Sequence, residues 1–148
     1  MKNYIELISY IKKEIVTEKS YLNFTQLKPH EHILNDRLLG LENYIKSLHP
    51  YIILPSIIVC SESNTIIDGH HRYYALKKMN INHAPITKIN YNSDLIVTDL
   101  ENSISKKTII SSAIKNSLLK PKSTAHHIKF KNNFLPLILL SDLRLVLK

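Results

Sequence analysis

Only two glycines interrupt the 148 residues, and one of them, Gly69, stands where a β-branched apolar run meets a helical pattern. Ile57-Ile58-Val59 reads as a buried strand, Glu62-Ser63-Asn64 as a turn, and Thr65-Ile66-Ile67 as the returning strand of a hairpin. Directly after it, Asp68-Gly69-His70-His71-Arg72 leads into Tyr73-Tyr74-Ala75-Leu76-Lys77-Lys78-Met79, which places Tyr73, Leu76 and Met79 on one side of a helix. A strand that turns at a glycine into a helix leaves backbone N–H groups converging on one point, with the positive end of the helix dipole behind them. That is an anion site. Glycine there permits positive φ and lets a phosphate approach the backbone. His70 and His71 add ring N–H donors, and Arg72 adds a planar, permanently charged fork. Asp68 would repel phosphate, so it is assigned to Mg²⁺, to a hydroxyl, or to holding a histidine in one tautomer.

The flanking segments supply a scaffold. Residues 4–16 carry Tyr4, Ile8, Ile11 and Ile15 at helical spacing and predict an amphipathic packing helix. Residues 21–27 alternate apolar and polar like a strand, which Lys28-Pro29 ends, so His30-Glu31-His32 becomes a loop leaving a strand end. Asn35 or Asp36 caps a helix over 37–48 whose buried stripe is Leu38, Leu41, Ile45 and Leu48, closed by Pro50. Residues 84–91, opening with Ala84-Pro85, are expected as an edge strand because proline cannot donate to a ladder. Ile109, Ile110, Ala113 and Ile114 predict a helix over 105–118, stopped by Pro121, and the tail from 122 to 148 reads equally as a docking strand or a short helix. The expectation is α+β: a small mixed or antiparallel sheet with packed helices and a C-terminal helical extension. The division is an N-terminal helix over 1–20, a nucleotide-binding core over 21–95 and a C-terminal portion over 96–148 that closes the pocket, all in one compact domain.

Composition narrows the function classes. The formal net charge is +8, but it arises from 17 scattered lysines beside 22 isoleucines and 13 asparagines, a bias typical of AT-rich codons. Basic clusters that would track a nucleic-acid backbone are missing, so nucleic acid stays the second reading and anionic small molecules the first. The single cysteine, Cys60, excludes an internal disulfide and a cysteine-based metal site. No long apolar segment predicts a signal peptide or a membrane span, and the cytoplasm is the expected location.

Two further clusters carry chemistry-bearing residues. Glu31, in Lys28-Pro29-His30-Glu31, is a loop carboxylate suited to act as a general base on a hydroxyl. Pro121-Lys122-Ser123-Thr124-Ala125-His126-His127 crowds hydroxyls, a lysine and imidazoles into one stretch. The string Ile67-Asp68-Gly69-His70-His71-Arg72-Tyr73-Tyr74-Ala75-Leu76 resembles the DGHHR motif of the ParB/sulfiredoxin-like superfamily. Taken in order with Lys28 to Glu31 and Pro121 to His126, it is most similar to the free serine kinase group.

That resemblance implies a phosphotransferase that forms O-phospho-L-serine from L-serine and ADP or ATP with Mg²⁺. It implies Glu31 as the base and Asp68 as a catalytic and metal-binding carboxylate. Gly69, His70, His71 and Arg72 would hold the nucleotide phosphates, and Lys122, Ser123, Thr124 and His126 would bind the substrate. Ala125 stands where the group usually has arginine, and Ser123 replaces a threonine. A ParB-like, nucleotide-dependent DNA-binding regulator is the alternative, against which stands the lack of a helix-turn-helix pattern after the loop. A sulfiredoxin-like reductase would need a cysteine where His70-His71 stand.

Overall fold

The computed structural model describes residues 3–100, 103–121 and 123–146. Helix α1 (Tyr4–Ile15) is capped by the Asn3 side chain, which accepts the Glu6 N–H at 2.8 Å, and runs without a loop into strand β1 (Val16–Asn23). The second half of α1 packs most tightly: Ile11 and Ile15 are buried and Leu7 packs partly against them, whereas Tyr4 is 80% exposed, so the expected four-residue stripe is only partly used. The strand expected over 21–27 begins earlier. Phe24–Gln26 instead form a short 3-10 turn, closed by reciprocal bonds between Asn23 and Gln26 in a capping box.

Helix α2 (Asn35–Ser47) starts at Leu34 without a side-chain cap, and Ile45 is buried while Leu38 and Leu41 pack partly against the core. Strands β2 (Ile52–Pro55) and β3 (Ile57–Cys60) follow, split at Ser56. β3 and β4 (Ile66–Asp68) form the expected antiparallel hairpin, and α3 (His70–Lys78) leads to β5 (His83–Ile89).

Four strands make one mixed sheet in the order β1-β5-β3-β4, with β3 parallel to β5 and the other pairs antiparallel. β5 is thus internal, which corrects the edge assignment made from Pro85. The proline pairs with Tyr21 of β1 and sits one residue ahead of the β3 ladder, which starts at Ile86, so it is no obstacle to that ladder.

β3 explains why two cores form. Ile57 and Val59 face one side with Phe24, Ile45, Leu54, Tyr73, Leu76 and Ile86, under α2 and α3. Ile58 and Cys60 face the other, with Ile11, Ile15, Ile67, Ile89, Ile128 and Leu140. A strand buried on both faces reads as a continuous β-branched run, and that is the Ile57-Ile58-Val59 pattern.

β6 (Ile96–Val97), β7 (His127–Phe130) and β8 (Asn133–Pro136) form a second sheet, and β9 (Leu143–Val146) pairs with β2. Helix α4 (Lys106–Ile114) is the C-terminal helix expected over 105–118, shorter at its end. The tail resolves into both readings left open for it: strands, and a 3-10 turn over Leu137–Leu140. No helix among the described residues is long and apolar enough to cross a membrane.

Candidate active site

A cavity of ≈730 Å³ opens between the N-terminus of α3, the first turns of α2 and the stretches 124–127 and 136–138. Of the residues singled out in the sequence, Glu31, Asp68, Gly69, His70, His71, Arg72, Thr124 and His126 line it. Lys122 lies outside the described residues. Ser123 is not in the wall; its hydroxyl closes a turn by donating to the Lys120 carbonyl at 2.6 Å.

Gly69 is the N-cap of α3, with φ 111° and ψ 25° and no side chain bonded across the helix start. The left-handed conformation alone disfavours any other residue. A second reason emerges from packing: a Cβ here would stand 2.9 Å from Nη2 of Arg72. The guanidinium lies against the glycine, in the space a side chain would fill.

Arg72 therefore points inward, contrary to the phosphate fork expected of it. Its Nη1 donates to the carbonyls of Ser56 (2.7 Å) and Pro55 (3.1 Å), and Nη2 donates to Asp68 Oδ2 at 3.1 Å. Ser141 Oγ, which itself donates to the Ser56 carbonyl at 2.7 Å, lies 3.5 Å from Nη1. The side chain is buried, and burial lowers its pKa while Asp68 opposes that shift. The residue ties the β2–β3 break, the end of β4 and the segment before β9 into one block.

The Nε2 atoms of the two histidines act as acceptors within the fold, which leaves the ring N–H donor on Nδ1. Nε2 of His70 accepts the backbone N–H of His30 at 3.0 Å, and Nε2 of His71 accepts that of Leu34 at 3.0 Å. Each bond fixes a tautomer with the proton on Nδ1. Burial, followed by the neighbouring imidazoles and Arg72, holds the His70 pKa well below its usual value, so the ring is neutral.

These bonds hold the loop that carries Glu31. The loop is also laced on its other edges: Lys28 N–H donates to Asn64 O (3.0 Å), Ile66 N–H to Lys28 O (2.9 Å), Leu119 N–H to His30 O (2.8 Å) and His32 N–H to Leu119 O (2.8 Å). Glu31 is thereby set above α3, 12% exposed, with Oε1 3.8 Å from His70 Nδ1. Because His70 is neutral, this contact is between a carboxylate and a ring N–H, not an ion pair.

Thr124 Oγ1 donates to Glu31 Oε2 at 3.0 Å and lies 2.9 Å from Nε2 of His30, whose Nδ1 donates to the Ile66 carbonyl at 2.6 Å. Burial lowers the His30 pKa to about 4, so the ring is neutral and its Nε2 competes with Glu31 for the one threonine proton. The Thr124 hydroxyl thus addresses the carboxylate directly. His126 is pushed down to about 3 by burial, then by the neighbouring imidazoles and Lys106, its Nε2 lies 2.7 Å from the Tyr91 hydroxyl, and its Nδ1 is enclosed. Its ring forms part of the wall, while its bonded nitrogen is turned to Tyr91.

No group of three or more acidic, histidine or cysteine side chains that could hold a metal occurs among the described residues. Magnesium needs less than that, because substrate phosphates and water complete its shell. Asp68, 39% exposed and lining the cavity with only Oδ2 bonded to Arg72, fits one such ligand.

The sequence reading missed Arg37 and Leu41 from α2, and the apolar wall of Pro136, Leu137 and Ile138. Arg37 carried one signal, as one of three arginines in a chain with 17 lysines. The wall carried none, since an apolar tail is ordinary core sequence.

No family model matches the chain. A curated ParB-like protein from Sulfolobus acidocaldarius is 37% identical over 71 residues, 48% of this chain and 34% of that relative, so the match spans about a third of the relative's length. Among solved structures, a glutamate-to-alanine mutant of a free serine kinase in complex with ADP superposes with a TM-score of 0.63 at 12% identity, covering 81% of this chain and 92% of that one. A glutamate-to-glutamine mutant of a free serine kinase in complex with AMP gives 0.63 at 13% identity, covering 83% and 94%. The chain therefore carries the ParB/sulfiredoxin-like fold of the free serine kinases and shares sequence with a ParB-like protein over about half its length.

Proposed function

We propose that the chain is a phosphotransferase that moves a nucleotide's terminal phosphoryl group to the hydroxyl of free L-serine. The observation that carries this reading is the suspension of the Glu31 carboxylate over the uncapped start of α3, inside one cavity. Phosphoryl transfer asks for little covalent chemistry from a protein. It asks for placement of the two oxygens, neutralisation of charge and a proton acceptor.

The phosphates of ADP or ATP rest on the loop from Asp68 to Arg72, where a helix start without a side-chain cap and the helix dipole favour an anion. Arg72 acts there as the strut that keeps Gly69 and Asp68 in place. The serine Oγ attacks the terminal phosphorus, the bond to the leaving phosphate oxygen breaks, and the hydroxyl proton passes to Glu31. Thr124 steadies that carboxylate through Oε2, and with His126 forms the part of the wall that receives the amino acid. Asp68 would hold Mg²⁺ jointly with the nucleotide's own phosphates, supplying charge neutralisation. The free serine kinases of this fold, crystallised with ADP or AMP, support the choice of nucleotide and of acceptor.

The test is phosphorus NMR of the protein with Mg²⁺, L-serine and either ADP or ATP. An O-phosphoserine resonance growing with one donor supports the reading. Bound nucleotide with no phosphoserine from either donor opposes it.

A further inference from the structure

We infer that Arg37, not Arg72, is the guanidinium that meets the phosphate groups of the nucleotide; this rests on the reading of the cavity as a nucleotide site. The case starts from charge. Among the described residues lining the cavity, Glu31 and Asp68 are acidic, the histidines with lowered pKa are neutral, and the permanent cations are Arg37 and Arg72. A nucleoside diphosphate entering this space meets two carboxylates. A helix start offers roughly half an elementary charge against them, and Mg²⁺ at Asp68 would offset that carboxylate, so a side-chain cation is what would counter the charge beside Glu31 and the phosphates.

Arg72 is not available for that task. It is 7% exposed, and its two terminal nitrogens already donate to Pro55 O, Ser56 O and Asp68 Oδ2. Drawing it out to a phosphate would take a donor from two carbonyls and uncover Gly69.

Arg37 has the opposite character. It is exposed, it lines the same cavity, and it forms no ion pair or hydrogen bond with any described residue. Leu41, one turn on along the same helical face, lines the cavity with it, so this face of α2 is turned to the ligand space. The start of α2 is also pinned to the loop: Leu34, its N-cap, donates its N–H to His71 Nε2. The side chain is thus exposed and not engaged by any described residue, while its anchor is fixed beside residues 68–72. A planar fork with several donors is suited to grip two phosphate oxygens at once.

The experiment is calorimetric titration of the wild-type chain, Arg37→Gln and Arg37→Lys with ADP and with adenosine, at low and at physiological salt. The expected result for Arg37→Gln is ADP affinity down by about tenfold at low salt, a smaller loss at higher salt, and unchanged adenosine affinity. Arg37→Lys should recover part of the loss, because it keeps the charge without the fork. Equal ADP affinity in wild type and Arg37→Gln overturns the inference and leaves the nucleotide site standing. A loss of ADP and adenosine alike also overturns it, since the contact would not be with phosphate. Failure of the wild type to bind ADP overturns the nucleotide reading itself, and this inference with it.

Discussion

Nε2 of His70 accepts the backbone N–H of His30, so the start of α3 and the loop that carries Glu31 are one mechanical unit. The adjacent His71 repeats the device on Leu34, at the entrance to α2. One dipeptide at the start of α3 thereby fixes both the loop of Glu31 and the helix that bears Arg37.

This coupling has a measurable consequence for His70 and His71. The His30 amide is buried and the Leu34 amide exposed, so only the first is stranded when its partner is removed. His70→Ala should cost about 1–3 kcal/mol in urea unfolding, and His71→Ala less than about 1 kcal/mol because water replaces the ring. His70→Ala should also lower turnover by freeing the Glu31 loop. Equal stability of the two variants would contradict the bracing role.

Arg72 should behave as a structural residue. Its removal takes the guanidinium donor from the Ser56 and Pro55 carbonyls, of which Ser56 keeps Ser141 Oγ, and opens the space beside Gly69. Arg72→Ala should lose about 3 kcal/mol of stability, and Arg72→Lys should rescue little, because a point charge cannot reproduce a fork held by two carbonyls and a carboxylate. A variant that unfolds at the wild-type urea midpoint but no longer binds nucleotide would restore the direct phosphate role.

The buried imidazoles predict acid sensitivity. His30 is held near 4 and His126 near 3, both chiefly by burial, and His70 is also low. An unfolded chain binds protons on these rings below about pH 6.5, whereas the folded chain does not until pH falls toward the depressed values. Their neutral state thus contributes stability that is full above pH 6.5 and declines as pH drops. Unfolding free energy measured between pH 7.5 and 5 should fall by up to about 1.4 kcal/mol per pH unit for each such histidine. A flat profile across that range would show that the rings are charged in the folded protein.

The hairpin, the glycine turn and α3 were legible because their signals are local: β-branched runs around a turn, then a left-handed position only glycine accepts. β1 was misplaced because, as an edge strand whose sequence Val16-Thr-Glu-Lys-Ser is mostly exposed, it lacks an apolar alternation. β5 was taken for an edge because Pro85 signals the absence of a donor but not which neighbour would have needed it. The inward turn of Arg72 was invisible for a different reason. It depends on carbonyls 16 and 17 residues earlier and on a serine 69 residues later, contacts that no periodicity encodes. Residue types pointed to a loop that does line the cavity, while tertiary contacts decided which arginine and histidine atoms are engaged within the fold.

The most direct test of the account is Glu31→Gln, followed in one sample for phosphoserine formation and for ADP affinity. A positioned general base is worth about 10²–10⁴-fold, and glutamine keeps the shape and can still meet Thr124 while accepting no proton. Turnover should fall by that factor with the ADP dissociation constant nearly unchanged. Turnover equal to wild type, or a loss of ADP binding that accounts for the whole defect, would contradict the role assigned to the carboxylate.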